Sequence, residues 1–275
     1  VEFLEAFLDR YYPAPEPEPI TPPEDFASRL DAYTGEYHPA RHSFTTAEKI
    51  LLLFQPVSVS VGPEGNLAIN VFGTPDQYAE LKPGLLRETR GEDRVVFNFD
   101  DRGRVTRAIP ANIIPYTLFK APWYATTTFT LALLIGGMVL YLFTLVAWAV
   151  AFFTRRAHAR DARPGLVARL ARWTATAFLV ASLAFFIGLM AIMGNVNPAY
   201  GVPDVFFSEV QGLETVMALT YVVAVLGAAM IGMAVLAWVR RTWGWLGRVW
   251  YTLMTAVAAG WVWMLAYWNL LGPGF

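Results

Sequence analysis

Four long stretches without a charged residue dominate the second half of the chain. They cover residues 126–153, 173–203, 215–239 and 249–275, and none contains Asp, Glu, Lys or Arg. About 20 apolar residues are enough for a helix to cross the roughly 30 Å of hydrocarbon in a bilayer. The pattern therefore predicts a membrane region over 123–275, with four transmembrane helices at about 126–153, 173–193, 215–239 and 249–271.

The loops between these helices differ in charge. The loop after the second helix has no Lys or Arg, whereas arginines are concentrated in the first and third loops, at positions 155, 156, 160, 163, 169 and 172 and at positions 240, 241 and 248. Basic loops remain on the cytoplasmic side of a membrane. The interpretation is that the N-terminal part and the C-terminus are extracytoplasmic, with Glu214 near the outer surface at the start of the third helix.

Residues 30–122 show the two-residue alternation of β-strands. Val57, Val59 and Val61 alternate with serines, the turn sequence GPEGN follows at 62–66, and the alternation resumes from Leu67. A second hairpin is indicated around the turn at 100–103, and residues 45–54 favour a short capped helix or a strand. The segment predicts an antiparallel meander of about six to eight strands, forming a small barrel or half-barrel.

Two shorter segments precede this β domain. Residues 1–12 have the apolar spacing of an amphipathic helix, which is interpreted as the terminal helix of a missing upstream domain. Residues 13–29 begin with PAPEPEPITPP and are interpreted as an extended proline-rich linker. The fold class expected is an α+β membrane protein, with a small antiparallel barrel-like extracytoplasmic domain followed by a four-helix transmembrane bundle.

Composition and motifs exclude several classes of function. The net charge of −1 gives no basic surface for nucleic acid, and the absence of cysteine excludes disulfides and thiolate sites. The three histidines, His38, His42 and His158, do not form a convincing metal site, so no metal and no cofactor is predicted. No ionisable residue lies in the core of a predicted span, which argues against a coupled transporter.

No catalytic residue is predicted either. The chain has no GxSxG or HExxH sequence and no glycine-rich phosphate loop. The sequence TAEK at 46–49 has only the spacing of an SxxK nucleophile motif. YWN at 267–269 matches a Y-x-N pattern, but it lies inside a predicted transmembrane helix.

The order of the segments resembles the C-terminal half of bacterial membrane-anchored serine hydrolases, which are similar to β-lactamases and penicillin-binding proteins. The resemblance covers nearly the whole chain, and its more specific features are the Y-x-G-x-Y sequence and the aromatic residues that lead into the first helix. Its segments are FLDRYYP (7–13), the proline linker, YTGEYHPARHSFTTAEKI (33–50), GEDRVVFNFDDRGRVT (91–106), PYTLFKAPWY (115–124) and the four helices.

The resemblance implies an upstream catalytic domain with an SxxK nucleophile, so that the expected function is that of an anchoring and accessory region in a bacterial cytoplasmic membrane. The partners then expected are the lipid bilayer, the missing catalytic domain and a second copy of the helices. Two alternatives remain: a membrane-embedded sensor or binding module with an extracytoplasmic β domain, and a small transporter.

Overall fold

A computed structural model describes residues 7, 10–12, 18–54, 56–71, 75–111, 116–157, 165–196, 198, 203 and 212–271. The chain divides into two compact units. The first contains residues 1–42 and 51–126, and the second contains residues 43–50 and 127–275. Most of the predicted terminal helix at 1–12, the start of the proline-rich linker and His158 lie outside the described residues.

The first unit is a closed antiparallel barrel of eight strands with one short helix, α1 (Phe26–Tyr33). Each strand pairs with the next along the chain, and β1 closes the barrel by pairing with β8. The prediction of an antiparallel barrel-like domain is confirmed. The strands are β1 (Gly35–Pro39), β2 (Val57–Val61), β3 (Leu67–Asn70), β4 (Asp76–Lys82), β5 (Leu85–Glu88), β6 (Arg94–Phe99), β7 (Val105–Pro110) and β8 (Leu118–Lys120).

Both predicted hairpins are present. β2 and β3 pair around the 62–66 turn, with Val59 opposite Ile69. In the turn between β6 and β7, the Asp100 carboxylate accepts hydrogen bonds from the backbone N–H groups of Arg102 and Arg104, at 2.9 and 2.8 Å. These bonds lower the pKa of Asp100, chiefly through Arg104, and Gly103 supplies the left-handed φ of +73° that the turn requires.

Helix α1 begins within the stretch that the sequence assigned to a linker. Its apolar residues Phe26, Leu30 and Tyr33 belong to the same buried core as the inward side chains of the barrel. The Lys120 ammonium donates to the carbonyl of Ala32 at 2.7 Å and so satisfies one of the free carbonyls at the helix end. Residues 47–53, for which a helix or a strand was expected, form a 3₁₀ helix (Ala47–Leu53).

The second unit contains four long apolar helices, as predicted. They are α2 (Thr127–Ala157), α3 (Leu166–Met193), α4 (Leu213–Val239) and α5 (Trp245–Tyr267), and all four are long and apolar enough to cross a membrane. The chain is thus a multi-pass membrane protein. Ile135, Val139 and Phe143 follow one another at helical spacing on an exposed face of α2, as expected for contact with lipid tails.

The core of the helical unit is aromatic. The rings of Tyr141, Phe178 and Trp261 have centroids 5.5 to 6.3 Å apart. The Tyr141 hydroxyl donates to the carbonyl of Met254 at 2.9 Å, and the Trp261 indole N–H donates to the carbonyl of Leu133 at 2.9 Å. These bonds between helices satisfy the polar atoms of both rings away from water.

Glycine allows α2 and α5 to approach closely. A Cβ at Gly137 would lie 2.7 Å from a Val257 methyl group and 2.8 Å from the Trp261 indole nitrogen. At the preceding position, Gly136, a Cβ would have no neighbour within 4 Å. Only one of two adjacent glycines therefore serves the packing of these helices.

The segment 43–50 packs on the C-terminal end of α5. The Lys49 ammonium donates to the carbonyl of Tyr267 at 2.6 Å and lies 3.9 Å from the centre of its ring. The Asn269 side-chain amide donates to the carbonyls of Phe44 and Thr46, at 2.8 and 3.2 Å. A cation near the C-terminal end of a helix is favourable because that end carries partial negative charge.

Candidate functional site

The interior of the barrel contains the candidate site. Because side chains alternate along a strand, every second residue of each strand faces inward. Cross-strand partners lie on the same face, so the pairs Tyr78–Glu88 and Glu80–Leu86 both point into the barrel. The two ends of this interior differ, since the turns of consecutive hairpins alternate between them.

One end is closed by α1 and a buried polar network. The Glu80 carboxylate is fully buried and accepts hydrogen bonds from Arg29, from the Tyr33 hydroxyl and, at 3.0 Å, from the backbone N–H of Gly84. Gly84 has a φ of +82°, and a Cβ there would lie 2.8 Å from the carbonyl oxygen of Phe97. The buried negative charge thus has three donors, which offset the cost of removing it from water.

The same network shifts the pKa of its members. Burial, and then the hydrogen bond with Glu80, raise the pKa of Tyr33 to about 12. The hydrogen bond to Glu80 is the largest cause of the raised pKa of Arg29. Tyr33 remains a neutral hydrogen-bond donor and Arg29 a cation throughout the physiological range, so this end of the barrel stays closed by the same bonds.

The other end carries acidic side chains. Asp76 begins β4, Asp93 precedes β6 by one residue, and Glu88 ends β5. The antiparallel order of the strands places all three at the end opposite Glu80, although they come from two different loops of the sequence. Three carboxylates therefore lie around this end of the barrel.

A cavity of about 140 Å³ lies between these ends. Its walls are apolar and aromatic side chains from seven of the eight strands, and the two aspartates border it. The lining consists of Tyr37, Val57, Val59, Ile69, Val71, Tyr78, Val95, Phe97, Ala108, Pro110 and Leu118, together with Asp76 and Asp93. An apolar pocket with a few polar groups at one end is the usual form of a small-molecule site.

Tyr78 joins the apolar and acidic parts of this cavity. Its side chain is 7% exposed, and its hydroxyl makes no hydrogen bond to any residue that the structure describes. Burial, followed by the charges of Glu88, Asp93 and Asp76, raises its pKa to about 12. Burial, followed by Asp76 and Asp93, raises the pKa of Glu88. In both groups burial is the largest cause of the shift, and the neighbouring carboxylates add to it.

The two motif-like sequences at 46–49 and 267–269 are brought together in the second unit. Their contacts are the backbone caps already described: the Lys49 ammonium is bound to a carbonyl, and the Thr46 hydroxyl lies 2.5 Å from the Ser43 hydroxyl. A nucleophile has to lie within hydrogen-bond reach of its base. These contacts hold the end of α5 and do not pair a nucleophile with a base.

Neither His38 nor His42 is among the residues that line the cavity. His38 is buried in β1, and the His42 imidazole Nδ1 lies 2.6 Å from the carbonyl oxygen of Pro39. Within the described ranges no cluster of three or more His, Cys, Asp or Glu side chains has the geometry of a metal site. Glu214 lies in the first turn of α4, as its position in the sequence indicated.

No protein-family model, no curated protein and no solved structure matches this chain. No binding residue was predicted from the sequence, and the cavity was missed. Its one visible signal was the alternation of inward valines in β2, which indicates a half-buried strand but not an unfilled interior.

Proposed function

We propose that this chain is the membrane-anchoring and accessory region of an extracytoplasmic serine hydrolase of the β-lactamase-like class. The catalytic domain of that enzyme would lie upstream of residue 1 in the parent protein. The order of the segments supports this, since the Y-x-G-x-Y sequence, the barrel and the four apolar helices follow one another as in that class.

The main observation in support is the structural role of the Y-x-G-x-Y residues at 33–37, which are among the more specific features of the resemblance. Tyr33 and Tyr37 are both fully buried, and the Tyr37 hydroxyl donates to the carbonyl of Tyr33 at 2.6 Å. Gly35 between them has a φ of +138°, which favours glycine. The motif thus forms the joint between α1 and the barrel, which gives a physical reason for each residue type in it.

The reading frame upstream of Val1 tests the hydrolase proposal. We expect it to encode a signal peptide and a domain with an SxxK motif, and the parent protein to react with a fluorescent penicillin that labels active-site serines. A frame that starts with Met at or immediately before Val1 would refute the proposal. A parent protein whose SxxK serine variant still reacts with the probe would also refute it.

We also propose that the helices lie in a bacterial cytoplasmic membrane with the barrel and the C-terminus outside. The support is that the arginines of the helical region lie at its first and third connections, whereas the connection between the second and third helices has no Lys or Arg. Association of the helices with a second copy of the chain stays a prediction, based on there being more helices than anchoring requires.

The absence of native cysteine makes a clean test of the orientation. We expect Ser60→Cys, on the exposed face of β2, to react with a membrane-impermeant maleimide in spheroplasts. Thr242→Cys, in the loop between α4 and α5, should react only after lysis. The reverse pattern would contradict the orientation, and the unmodified chain, which has no cysteine, is the control for background labelling.

A second function, binding of a small molecule by the barrel, is favoured by the cavity. A fully packed barrel of eight strands would have an interior filled by side chains. Here a space of about 140 Å³ remains beside Tyr78 and the two aspartates. This function is compatible with the first, since an accessory domain can bind a ligand for the enzyme that it accompanies.

A further inference from the structure

The charged side chains of the last two helices and of their connection are all basic. Between residues 215 and 275 the only charged residues are Arg240, Arg241 and Arg248. The first two directly follow α4, and Arg248 lies in the first turn of α5. Within the described part of the chain, none of the three forms an ion pair with a carboxylate. Three cations therefore lie together at this end of the α4–α5 hairpin.

Arg248 is held in place by an aromatic ring of the neighbouring helix. Its guanidinium carbon lies 4.7 Å from the centre of the Trp238 ring, near the end of α4. The Trp238 indole N–H donates to the Thr252 hydroxyl at 2.9 Å, which fixes that ring. The guanidinium makes no hydrogen bond to any residue that the structure describes. A guanidinium stacked in this way still presents a rigid fork of N–H donors, which matches a phosphate or a carboxylate.

Arg241 has a backbone conformation that favours glycine. Its φ is +48°, immediately after the C-cap of α4. The N–H groups of Arg241 and Thr242 donate to the carbonyls of Trp238 and Ala237, at 3.4 and 3.2 Å, which is the Schellman ending of a helix. Glycine would be the more favourable residue for this turn. The exposed Arg241 side chain has no partner among the described residues, so the turn gives no reason for an arginine here.

The position of these arginines at the ends of two spans defines the anion that they meet. Both α4 and α5 are long and apolar enough to cross a membrane. The layer next to the hydrocarbon is that of the lipid headgroups, in which tryptophan is enriched. Trp238, Trp245 and Trp250 are exposed at this end of the hairpin. The phosphates of phospholipids are therefore the nearest acceptors for the three guanidinium groups.

We propose that residues 240–244 and Arg248 form a binding site for one anionic phospholipid. The lipid phosphate accepts hydrogen bonds from the Arg248 guanidinium, and Arg240 and Arg241 lie around the rest of the negatively charged headgroup. The acyl chains contact Val239 and Val249, which are exposed beside the arginines. The inference goes beyond both proposed functions and holds for either orientation of the helices, because both surfaces of a bilayer contain phosphate.

The test compares phosphatidylglycerol, phosphatidylcholine with the same acyl chains, and glycerol phosphate, which has no acyl chain. Native mass spectrometry of the full chain released from detergent micelles counts the bound lipids and measures their affinities. We expect one phosphatidylglycerol to bind about tenfold or more tightly than phosphatidylcholine, since each arginine at a membrane surface favours an anionic lipid about fivefold. Equal affinities for the two lipids would overturn the proposal. Displacement of the lipid by an equal concentration of glycerol phosphate would also overturn it, because the site would then bind a soluble phosphate.

Two variants and a matched control locate the site. Arg248→Lys keeps the charge but loses the planar stacking group, and should lower the affinity for phosphatidylglycerol about fivefold. Arg241→Gly should lower this affinity about fivefold and leave the helical unit at least as stable, because glycine favours the left-handed backbone. Arg169→Gln should change the affinity little. Arg169 is exposed at the same end of the bundle, where the Tyr251 hydroxyl donates to the carbonyl of Ala171, but it stacks on no described ring.

The outcomes distinguish a defined site from general attraction to a basic surface. Unchanged affinity in Arg248→Lys, with equal losses in Arg241→Gly and Arg169→Gln, would show general attraction and refute the site. Unfolding in sodium dodecyl sulfate checks that each variant is folded. Should Arg248→Lys fail to fold, Arg241→Gly decides, and an affinity equal to that of the unmodified chain refutes the site.

Discussion

The two buried tyrosines of the joint between α1 and the barrel make a matched pair for measuring the Glu80 network. Tyr33 and Tyr37 are both fully buried, so replacing either with Phe removes one hydroxyl and leaves an identical apolar ring. The Tyr33 hydroxyl donates to a buried carboxylate, whereas the Tyr37 hydroxyl donates to a neutral carbonyl. The two variants therefore differ mainly in the charge of the acceptor.

The expected magnitudes follow from that difference. A hydrogen bond to a charged group contributes about 1.5–3 kcal/mol, and one between neutral groups about 0.5–1.5 kcal/mol. The Tyr33 hydroxyl also accepts from the Gly84 N–H at 3.2 Å, a bond that Gly84 can replace through its other contact with Glu80. We expect Tyr33→Phe to lower the free energy of unfolding of the barrel by roughly 1 kcal/mol more than Tyr37→Phe.

Hydrogen exchange measured by mass spectrometry on the full chain reports this free energy. Nine of the ten tryptophans of the chain lie in the helical unit and Trp123 is the exception, so tryptophan fluorescence would follow mainly the helical unit. Slowly exchanging amides in β3 to β6 report opening of the barrel itself. Intact exchange protection in α2 to α5 controls for loss of the second unit.

A double-mutant cycle sharpens the test. In a Glu80→Gln background the acceptor is neutral. The loss in free energy of unfolding caused by Tyr33→Phe should therefore fall to about the loss caused by Tyr37→Phe. The cost of Tyr37→Phe should be the same in both backgrounds. A Tyr33→Phe cost no greater than that of Tyr37→Phe, or one that Glu80→Gln does not change, would refute the assignment of Glu80 as a charged centre of this network.

Replacing each of the two adjacent glycines of α2 with alanine should have different effects on the stability of the helical unit. Gly137→Ala should destabilise the unit by roughly 1–3 kcal/mol through overpacking, while Gly136→Ala should be neutral or slightly stabilising. Tryptophan fluorescence during unfolding in sodium dodecyl sulfate measures both effects. Equal effects would contradict close packing at Gly137. Gly84→Ala should lower the free energy of unfolding of the barrel more than Gly103→Ala does. Both positions have positive φ, but only at Gly84 would a Cβ lie against a carbonyl oxygen. Hydrogen exchange in β4 to β6 measures this, and the reverse ranking would contradict the structure. Because burial and the two aspartates raise the pKa of Glu88, the native state holds its proton more tightly than the unfolded chain, and stability falls as pH rises from the ordinary value of 4.5 through the raised one. Glu88→Gln should therefore match the unmodified chain at about pH 4 and be more stable at about pH 8; a stability difference that does not vary with pH would exclude this origin.

The positions of the helices followed from the sequence because their signal is local. A stretch without charge marks the part of a helix that lies in hydrocarbon, and all four helices contain such a stretch. The helix α3 itself extends beyond the predicted span at about 173–193. It begins at Leu166, because Arg169 and Arg172 belong to its first turns and charged residues are tolerated at the ends of a span.

The strands β4 and β5 were harder to locate because buried charges interrupt their pattern. Glu80 and Arg87 are both at least nine-tenths buried, yet their residue types indicate solvent. The partners that make this burial acceptable come from elsewhere: Arg29 binds Glu80, and the Arg87 guanidinium donates to the carbonyl of Glu18. Such pairings depend on the tertiary structure and leave no periodic signal in the strand itself.

The candidate site could not be predicted for a related reason. Asp76 and Asp93 flank different strands, and only the register of β4 to β6 brings them to one end of the interior. Whether eight inward-facing rows of side chains fill a barrel depends on its closure and on the sizes of residues such as Ala108. Neither quantity is visible in the order of the residues.

The bond between Lys49 and the carbonyl of Tyr267 joins residues 218 positions apart. During synthesis the ribosome completes the lysine segment early, whereas its partner emerges only with the last helix. The C-terminal end of α5 therefore acquires its cation only after α2 to α5 have all been translated. Assembly of the helical unit becomes a late event in biogenesis, and a nascent chain that stalls before residue 267 cannot complete it.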